Sequence, residues 1–483
     1  MRSFIAIVKL TLRSAMRSHI FQMLLGVLIL CVALIPTTVG GSTAMDFIRV
    51  SLLYSLSSVA TILSLSTLWV GCHVMSSDID DYRLHMVVSK PISRVTIWFG
   101  KWMGVLLLHL FLLFIASAAI YGVVMWRFNH GKFSDAERTR IRLEVLVGRR
   151  VFMPERRDYE RLAYERRDAK IRLAGRSVSP REQDRILKAC LKELIAEDSE
   201  VKPAYYEVTL PDGSKDVKFS ESKFRTWVFR NVPPDATRAL YLRYRPFVGK
   251  VRSEEQRETA VGWFIYVPRM TRGGAAQDES GGDQRFPFYL PPTKVMGGEF
   301  HEIPLRGDVG IVSPNGEVRI GVYNLDPKFA SQFYQPGDGP KLLIEVTSFL
   351  GNYARAVLVL GLQLVMMSLL SCAFGGFLTL PTAVFVSTSY LVFGYMASFM
   401  TDPGYYVSSE IDEAGQGISR WLLNVIVPLE RFDVTDLVAS GELVEWSLVW
   451  NIALSCLLLR TLPWVLGGIY FYWRREIGLE IKK

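Results

Sequence analysis

Three carboxylates, Asp78, Asp80 and Asp81, stand just ahead of a short apolar turn made by Leu84, Met86, Val87 and Val88. A turn signal, Ser89-Lys90-Pro91, follows, and then two bases, Arg94 and Lys101. Acids before an apolar turn and bases after it offer a docking element whose charges can be matched by a partner. Pro91 favours a helix start and disfavours the helical conformation at Lys90, so the spacing predicts a helix–turn–helix within the loop.

Catalytic chemistry is not written into the chain in the same way. Gly100-Lys101 and Gly249-Lys250 both lack the earlier glycine of a P-loop, so ATP hydrolysis by that route is excluded and the chain is expected not to be an enzyme. Only His130 and His301 of the six histidines fall in the polar middle of the sequence, and neither lies in a nucleophile motif or at metal-ligand spacing. The five cysteines, Cys31, Cys72, Cys190, Cys372 and Cys456, form no pair at metal-ligand spacing. No cofactor is expected in the chain itself.

The elements that hold the loop are apolar. Half of the 483 residues are hydrophobic, and they are concentrated in 1–126 and 346–483, which reads as an integral membrane protein. The formal charge of +9 lies mostly in the polar segment between them, without a nucleic-acid-binding motif. Residues 1–20 form a basic amphipathic stretch, with Lys9, Arg13 and Arg17 on one face and Ile5, Val8, Leu12 and Met16 on another, as in a helix lying at the membrane interface. Spans are predicted at about 21–39, 49–74 and 98–126, the last two flanking a polar loop at 75–97. After the polar segment they are predicted at about 352–373, from a Gly375-Gly376/Pro381 turn to Met400, and at 446–472. A short apolar run, 418–429, is too short to cross a hydrocarbon core of roughly 30 Å and reads as re-entrant or interfacial.

Loop charge fixes the expected orientation. The N-terminal stretch, the 75–97 loop and the C-terminus are rich in Lys and Arg, whereas 401–445 carries Arg420 and Arg431 against nine acids. The three basic segments fall on one side only with six spans, which places both termini in the cytoplasm and the polar segment outside. Two span residues could line a pathway or bond between helices: His109, and Arg460 with Pro463 close by.

The loop resembles that of the permease subunits of type-2 ABC (ABC-2) transporters. Asp80 and Asp81, Val87-Val88-Ser89, Pro91-Ile92-Ser93-Arg94 and Gly100-Lys101 follow the family's order, although Tyr82-Arg83 stands where Gly-Thr is usual. Pro428-Leu-Glu-Arg-Phe-Asp433 is similar to a stretch of the subgroup linked to copper-enzyme maturation. The resemblance covers both membrane halves but not the segment between them. It implies six transmembrane helices in a type-2 exporter-like fold, in the bacterial cytoplasmic membrane, and export or extrusion of a substrate. It also implies a second permease subunit, identical or not, and a separate ATPase dimer that carries ATP and Mg. The residues implied in ATPase contact are Asp80, Asp81, Tyr82, Leu84, Lys90, Pro91, Ser93 and Arg94. Two alternatives remain open: a membrane-anchored envelope binding or scaffold protein, and a mechanotransmitting permease that works its outer domain without transport.

The polar segment, 127–345, divides into a charged part at 127–200 that reads as helical and a part at 201–345 that reads as a β-sandwich. Ser134 and Ser179-Pro180 with Glu182 look like helix starts. Arg149-Arg150, Arg156-Arg157 and Arg166-Arg167 are interleaved with acids, as on a solvated helical face. Runs at Tyr205–Leu210, Thr226–Val232, Leu240–Tyr244, Trp263–Val267, Val318–Leu325 and Leu342–Val346 alternate at period two between Pro/Asn/Gly turns. Arg272–Gln284 reads as a mobile loop, and an extracytoplasmic partner for the segment is expected.

This orientation sets an expectation for impermeant thiol probes in intact cells. Single cysteines at Ser280 and Ser409 should label from outside, and one at Ser89 only after permeabilisation; labelling of Ser280 only from within would reverse the topology.

Overall fold

A computed structural model describes residues 2–17, 19–38, 40–41, 43–80, 92–155, 157–175, 179–209, 215–219, 224–233, 240–248, 258–268, 270–271, 274–275, 285–305, 310–328, 330–335, 339–401 and 426–474. The chain forms two compact units, one of Met1–Gly148 with Val346–Lys483 and one of Arg149–Glu345. The second begins later than the expected boundary at 127, because the third long helix runs to His130 and a short helix follows it within the first unit.

The first unit is helical: α1 (Arg2–Arg17), α2 (His19–Thr38), α3 (Ala44–Asp80), α4 (Arg94–His130), α5 (Asp135–Glu144), then, after the second unit, α8 (Phe349–Phe377), α9 (Leu380–Thr401), α10 (Thr435–Ala439) and α11 (Trp446–Arg474). Two helices of the second unit, α6 (Tyr159–Ala174) and α7 (Pro180–Ser199), take the intervening numbers. Among the described residues, α3, α4, α8 and α11 are long and apolar enough to cross a membrane; the bent pair α1–α2 would count as a fifth, and α9 holds a shorter apolar helix, Leu380–Met396. Large apolar side chains on these helices, among them Met23, Phe111, Phe114, Phe385 and Leu459, are exposed all round the bundle, which is compatible with a membrane protein.

The expected turn at Gly375-Gly376 is a correction. The helix α8 continues through both glycines to Phe377, and the chain turns at Leu378-Thr379 instead. Gly375 is needed for packing: a Cβ there would lie 2.8 Å from the carbonyl oxygen of Cys72 on α3. Gly71 on α3 is the reciprocal case, where a Cβ would meet Ser371 Oγ at 2.0 Å. Small residues on both sides therefore let the α3 and α8 backbones approach closely. Polar side chains close the same seam: Ser76 Oγ donates to the Gly375 carbonyl (3.1 Å), Ser371 Oγ to the Thr67 carbonyl (3.4 Å) and Gln363 to Ser64 Oγ (3.2 Å).

The last span is locally π-helical over Ile452–Thr461. Pro463 supplies the reason: its ring excludes the carbonyl four residues back and it brings no N–H, so the ladder widens, with Leu462 N–H bonding to the Leu457 carbonyl. The run at 418–429, expected to be re-entrant or interfacial, is described only over its last four residues. Residues 418–425 lie outside the described residues, Ile426–Pro428 are not helical, and Leu429–Phe432 form a single 3-10 turn. This segment is nevertheless buried in the bundle, with Val427, Leu429 and Phe432 almost fully enclosed.

In the second unit the strands are β1 (Val147–Phe152, whose first two residues close the first unit), β2 (Arg225–Phe229), β3 (Leu240–Tyr244), β4 (Glu258–Pro268), β5 (Arg285–Tyr289), β6 (Thr293–Met296), β7 (His301–Leu305), β8 (Val318–Asn324) and β9 (Lys341–Ser348). One sheet has the order β1-β9-β3-β7, the other β5-β4-β8-β2 with β6 also on β4. The two sheets share one apolar core that includes Phe229, Leu242, Tyr244, Trp263, Ile265, Ile320, Val322 and Leu342. Shorter antiparallel pairs are Tyr205–Thr209 with Lys215–Phe219 and Met270–Thr271 with Gly274–Ala275, and the rest of Arg272–Gln284 is outside the described residues.

The charged part is not wholly helical, since β1 carries the Arg149-Arg150 pair. Ser134 and Ser179 do cap helices, the former in a capping box with Glu137. Arg166 and Lys170 of α6 pair with Glu193 and Glu197 of α7, which makes this a solvated helical hairpin. Arg149 itself is fully buried: its guanidinium grips Glu302 on β7 through two bonds of 2.7 and 3.1 Å, and Arg243 on β3 adds a third at 2.6 Å. Burial pushes the Glu302 carboxyl up, but Arg243 and Arg149 outweigh it and hold the carboxyl below its ordinary value.

Breaking this triad from one side leaves uncompensated buried charge. Glu302→Ala should destabilise a 147–348 fragment by about 3–5 kcal/mol, measured by urea unfolding. Because the folded value is depressed, the carboxylate's contribution should be complete above the ordinary value of 4.5 and vanish as pH falls through the folded one. Equal stability of the variant at neutral pH would contradict this role.

Candidate functional site

The helices α3 and α4 are antiparallel neighbours, and one end of the bundle collects the flanks of the 81–91 loop. The helix α3 ends at Asp80, and α4 begins at Arg94 after the N-cap Ser93, whose hydroxyl accepts from Thr96 N–H (3.2 Å). Beneath them Met75, Ile97, Trp98, Cys372, Ala373, Val465 and Tyr472 form one buried cluster with Ile7 of α1, and Ile92 packs on its edge. Five helices thus meet where the loop is anchored.

Two cations stitch that end together. Arg94 Nη1 donates to the Trp473 carbonyl (2.8 Å) in the last turn of α11, where a cation also meets the negative end of the helix dipole. Lys101, almost completely buried, donates to the Val74 carbonyl on α3 (3.0 Å). One bond ties α4 to α11 and the other ties it to α3, so neither flank of the loop can shift alone.

The N-terminal helix docks on the same end. Ile7, Thr11 and Ala15 are its buried residues, and they face Gly100 and Gly104 of α4. A Cβ at Gly100 would come within 2.8 Å of Ile7, and one at Gly104 within 2.8 Å of Thr11. The sequence reading placed an apolar face at Ile5, Val8, Leu12 and Met16; Val8 and Leu12 are only half-buried, and Ile5 and Met16 remain exposed. The small-x-x-x-small spacing from Gly100 to Gly104 is the signal that could have located the docking face.

The expected contact residues divide accordingly. Ser93 and Arg94 are brought to the anchored end, where Ser93 caps a helix and Arg94 bonds to α11. Asp80 closes α3, with its side chain outside the described residues, and Asp81, Tyr82, Leu84, Lys90 and Pro91 lie outside them altogether. The helix–turn–helix expected around Pro91 falls there too.

The other end of the bundle gathers the remaining termini. Asn352 near the start of α8 donates to the Glu442 carbonyl (2.7 Å) and accepts from Val444 N–H (2.8 Å). Arg355 reaches the Val444 carbonyl (3.3 Å) and lies over the Trp446 ring, while Arg49 pairs with Asp436 at 3.6 Å. Arg460 donates to the Ile426 carbonyl (3.1 Å), and Tyr390 OH accepts from Val427 N–H (2.9 Å), so α11 and α9 both hold the Ile426–Val427 segment. His109 is wholly enclosed, with Nε2 at 3.0 Å from Ser66 Oγ on α3 and Nδ1 at 2.9 Å from its own helix at Val105 O. It is an interhelical polar contact.

Among the described residues, no group of three His, Cys, Asp or Glu is placed to hold a metal ion. This end of the bundle holds the two helix ends that flank residues 81–91, with α4 bonded to both α3 and α11. Comparison with known protein families and with curated proteins finds no match for this chain.

The glycine contact is testable. Gly104→Leu should push α1 off α4 at a cost of about 1–3 kcal/mol and lower the melting temperature of the protein in detergent, read by intrinsic fluorescence. An unchanged melt would mean that α1 does not depend on this docking.

Proposed function

We propose that the chain is the permease subunit of a type-2 ABC transporter, coupling ATP hydrolysis on a separate ATPase subunit to export or extrusion. The observation that carries the reading is the convergence just described: both flanks of the acid-first, base-last loop sit at one end of the bundle, each tied to a different span. A partner pressing on the 81–91 loop would therefore move α3 and α4 together with α11. The N-terminal helix, the loop and the end of α11 share this end, and all three are the Lys/Arg-rich segments, which supports a cytoplasmic location for it. The six-span topology follows if α2 and α9 cross as well. The second unit is then extracytoplasmic, and its two sheets over one core form a β-sandwich.

A second reading is favoured by one feature. β9 passes into α8 without a linker, Ser348 serving both as the last strand residue and as the N-cap of the helix. The helix α8 is also the most enclosed of the four long spans. A mechanotransmitting permease would need such a continuous connection between a span and its outer domain.

The test is recovery of the ATPase on immobilised permease at matched expression. Asp81→Lys and Arg94→Glu replace attraction by repulsion if these residues meet the ATPase, and like-charge juxtaposition at an interface costs several kcal/mol. Recovery should fall at least tenfold for Asp81→Lys. Equal recovery on wild type and both variants would make this an ordinary loop between spans.

A further inference from the structure

The surface of α1 that does not touch α4 is divided into two sectors. Ile5, Val8, Leu12 and Met16 occupy one, and Arg2, Lys9, Arg13 and Arg17 the adjoining one, all four cations exposed. No salt bridge is found for any of the four among the described residues. The third sector, Ile7, Thr11 and Ala15, is the one pressed on Gly100 and Gly104. The apolar helix α2 follows directly, so an apolar sector beside a cationic one belongs at the level where acyl chains give way to headgroups.

We propose that α1 is a binding site for anionic phospholipid headgroups and that occupancy of this site steadies the start of α4. Charge complementarity selects the occupant: four cations in a row along one sector of about four turns match the phosphates of a negatively charged leaflet, while the adjacent sector enters its acyl boundary. A free soluble anion would account for the cations but not for the exposed Ile5 and Met16 beside them. The effect is transmitted because α1 has no slack on α4. The contacts at Gly100 and Gly104 are backbone-close, and about two turns before Gly100 α4 carries Arg94 and the Ser93 cap, the fixed flank of the loop. Headgroup composition thereby sets how rigidly that flank is held. The inference rests on the placement of α1 at a membrane surface and needs no ATPase, so it stands or falls separately from the permease reading.

The experiment uses the full chain in nanodiscs of phosphatidylcholine alone or with 30 mol% phosphatidylglycerol, a composition set at about the anionic content that makes leaflet charge significant. Two readouts are taken: the lipids retained after exchange into detergent, by native mass spectrometry, and amide hydrogen exchange over residues 92–104. Wild type should retain phosphatidylglycerol over phosphatidylcholine, less so at high salt, and exchange at 92–104 should slow in the anionic discs. Lys9→Gln/Arg13→Gln/Arg17→Gln should lower the preference by about fivefold per cation removed and abolish the slowing, whereas Arg166→Gln in the α6–α7 hairpin should change neither. Equal retention of both lipids by wild type would overturn the site. A preference that survives in the triple variant would place the headgroup contact elsewhere and overturn it equally. Retention with unchanged exchange at 92–104 would overturn the coupling to α4.

Discussion

The closeness of α8 to α3 is the constraint on which the helical unit depends. Between helices in hydrocarbon, apolar burial offers little net drive, so association relies on backbone-close packing and on shared polar groups. Gly71 and Gly375 supply the first, and Ser76, Thr67, Ser371, Gln363 and Ser64 supply the second. Because the crossing lies close to the Asp80 end, it fixes the level of α3 there, and Lys101 then fixes α4 to α3. The remaining attachments at that end, Arg94 to α11 and Ile7 to Gly100, follow from this alignment.

The second unit is held together differently. Its two sheets bury a large aromatic and aliphatic core against each other, where the hydrophobic effect is the main drive. The Arg149–Glu302–Arg243 group then joins three strands of one sheet, β1, β7 and β3. A buried ion group of this kind contributes little net stability relative to apolar residues, but it is intolerant of losing one member. It therefore specifies which strands lie together near the point where the chain enters the unit.

Much of this was legible in the sequence, and what was not has physical reasons. The long spans follow from uninterrupted apolar runs, and the helix starts at Ser134 and Ser179 from cap chemistry that is local in sequence. The strand Val147–Phe152 was hidden because Arg149-Arg150 reads as surface charge; only its partner Glu302, 153 residues away, makes Arg149 an interior residue. Likewise Gly375-Gly376 reads as a turn until Cys72 is placed against it, and the docking face of α1 is small and partly polar rather than apolar. In each case the deciding neighbour is remote in sequence. Ser93, Arg94 and Lys101 stand out in the sequence by type and spacing, whereas Gly104 and Tyr472, which meet them at the same end, carry no local signal that ties them to it.

Under the proposed function the motor is another polypeptide, held at the end where five helices converge. The most direct measurement is an inventory, by quantitative mass spectrometry, of the proteins that co-purify with the full-length chain from its native membrane in mild detergent. The proposed function predicts a polypeptide bearing a G-x-x-x-x-G-K-[ST] motif in near-equal amount to this chain. Recovery of the chain with no such protein, in a preparation where its other partners are retained, would contradict it.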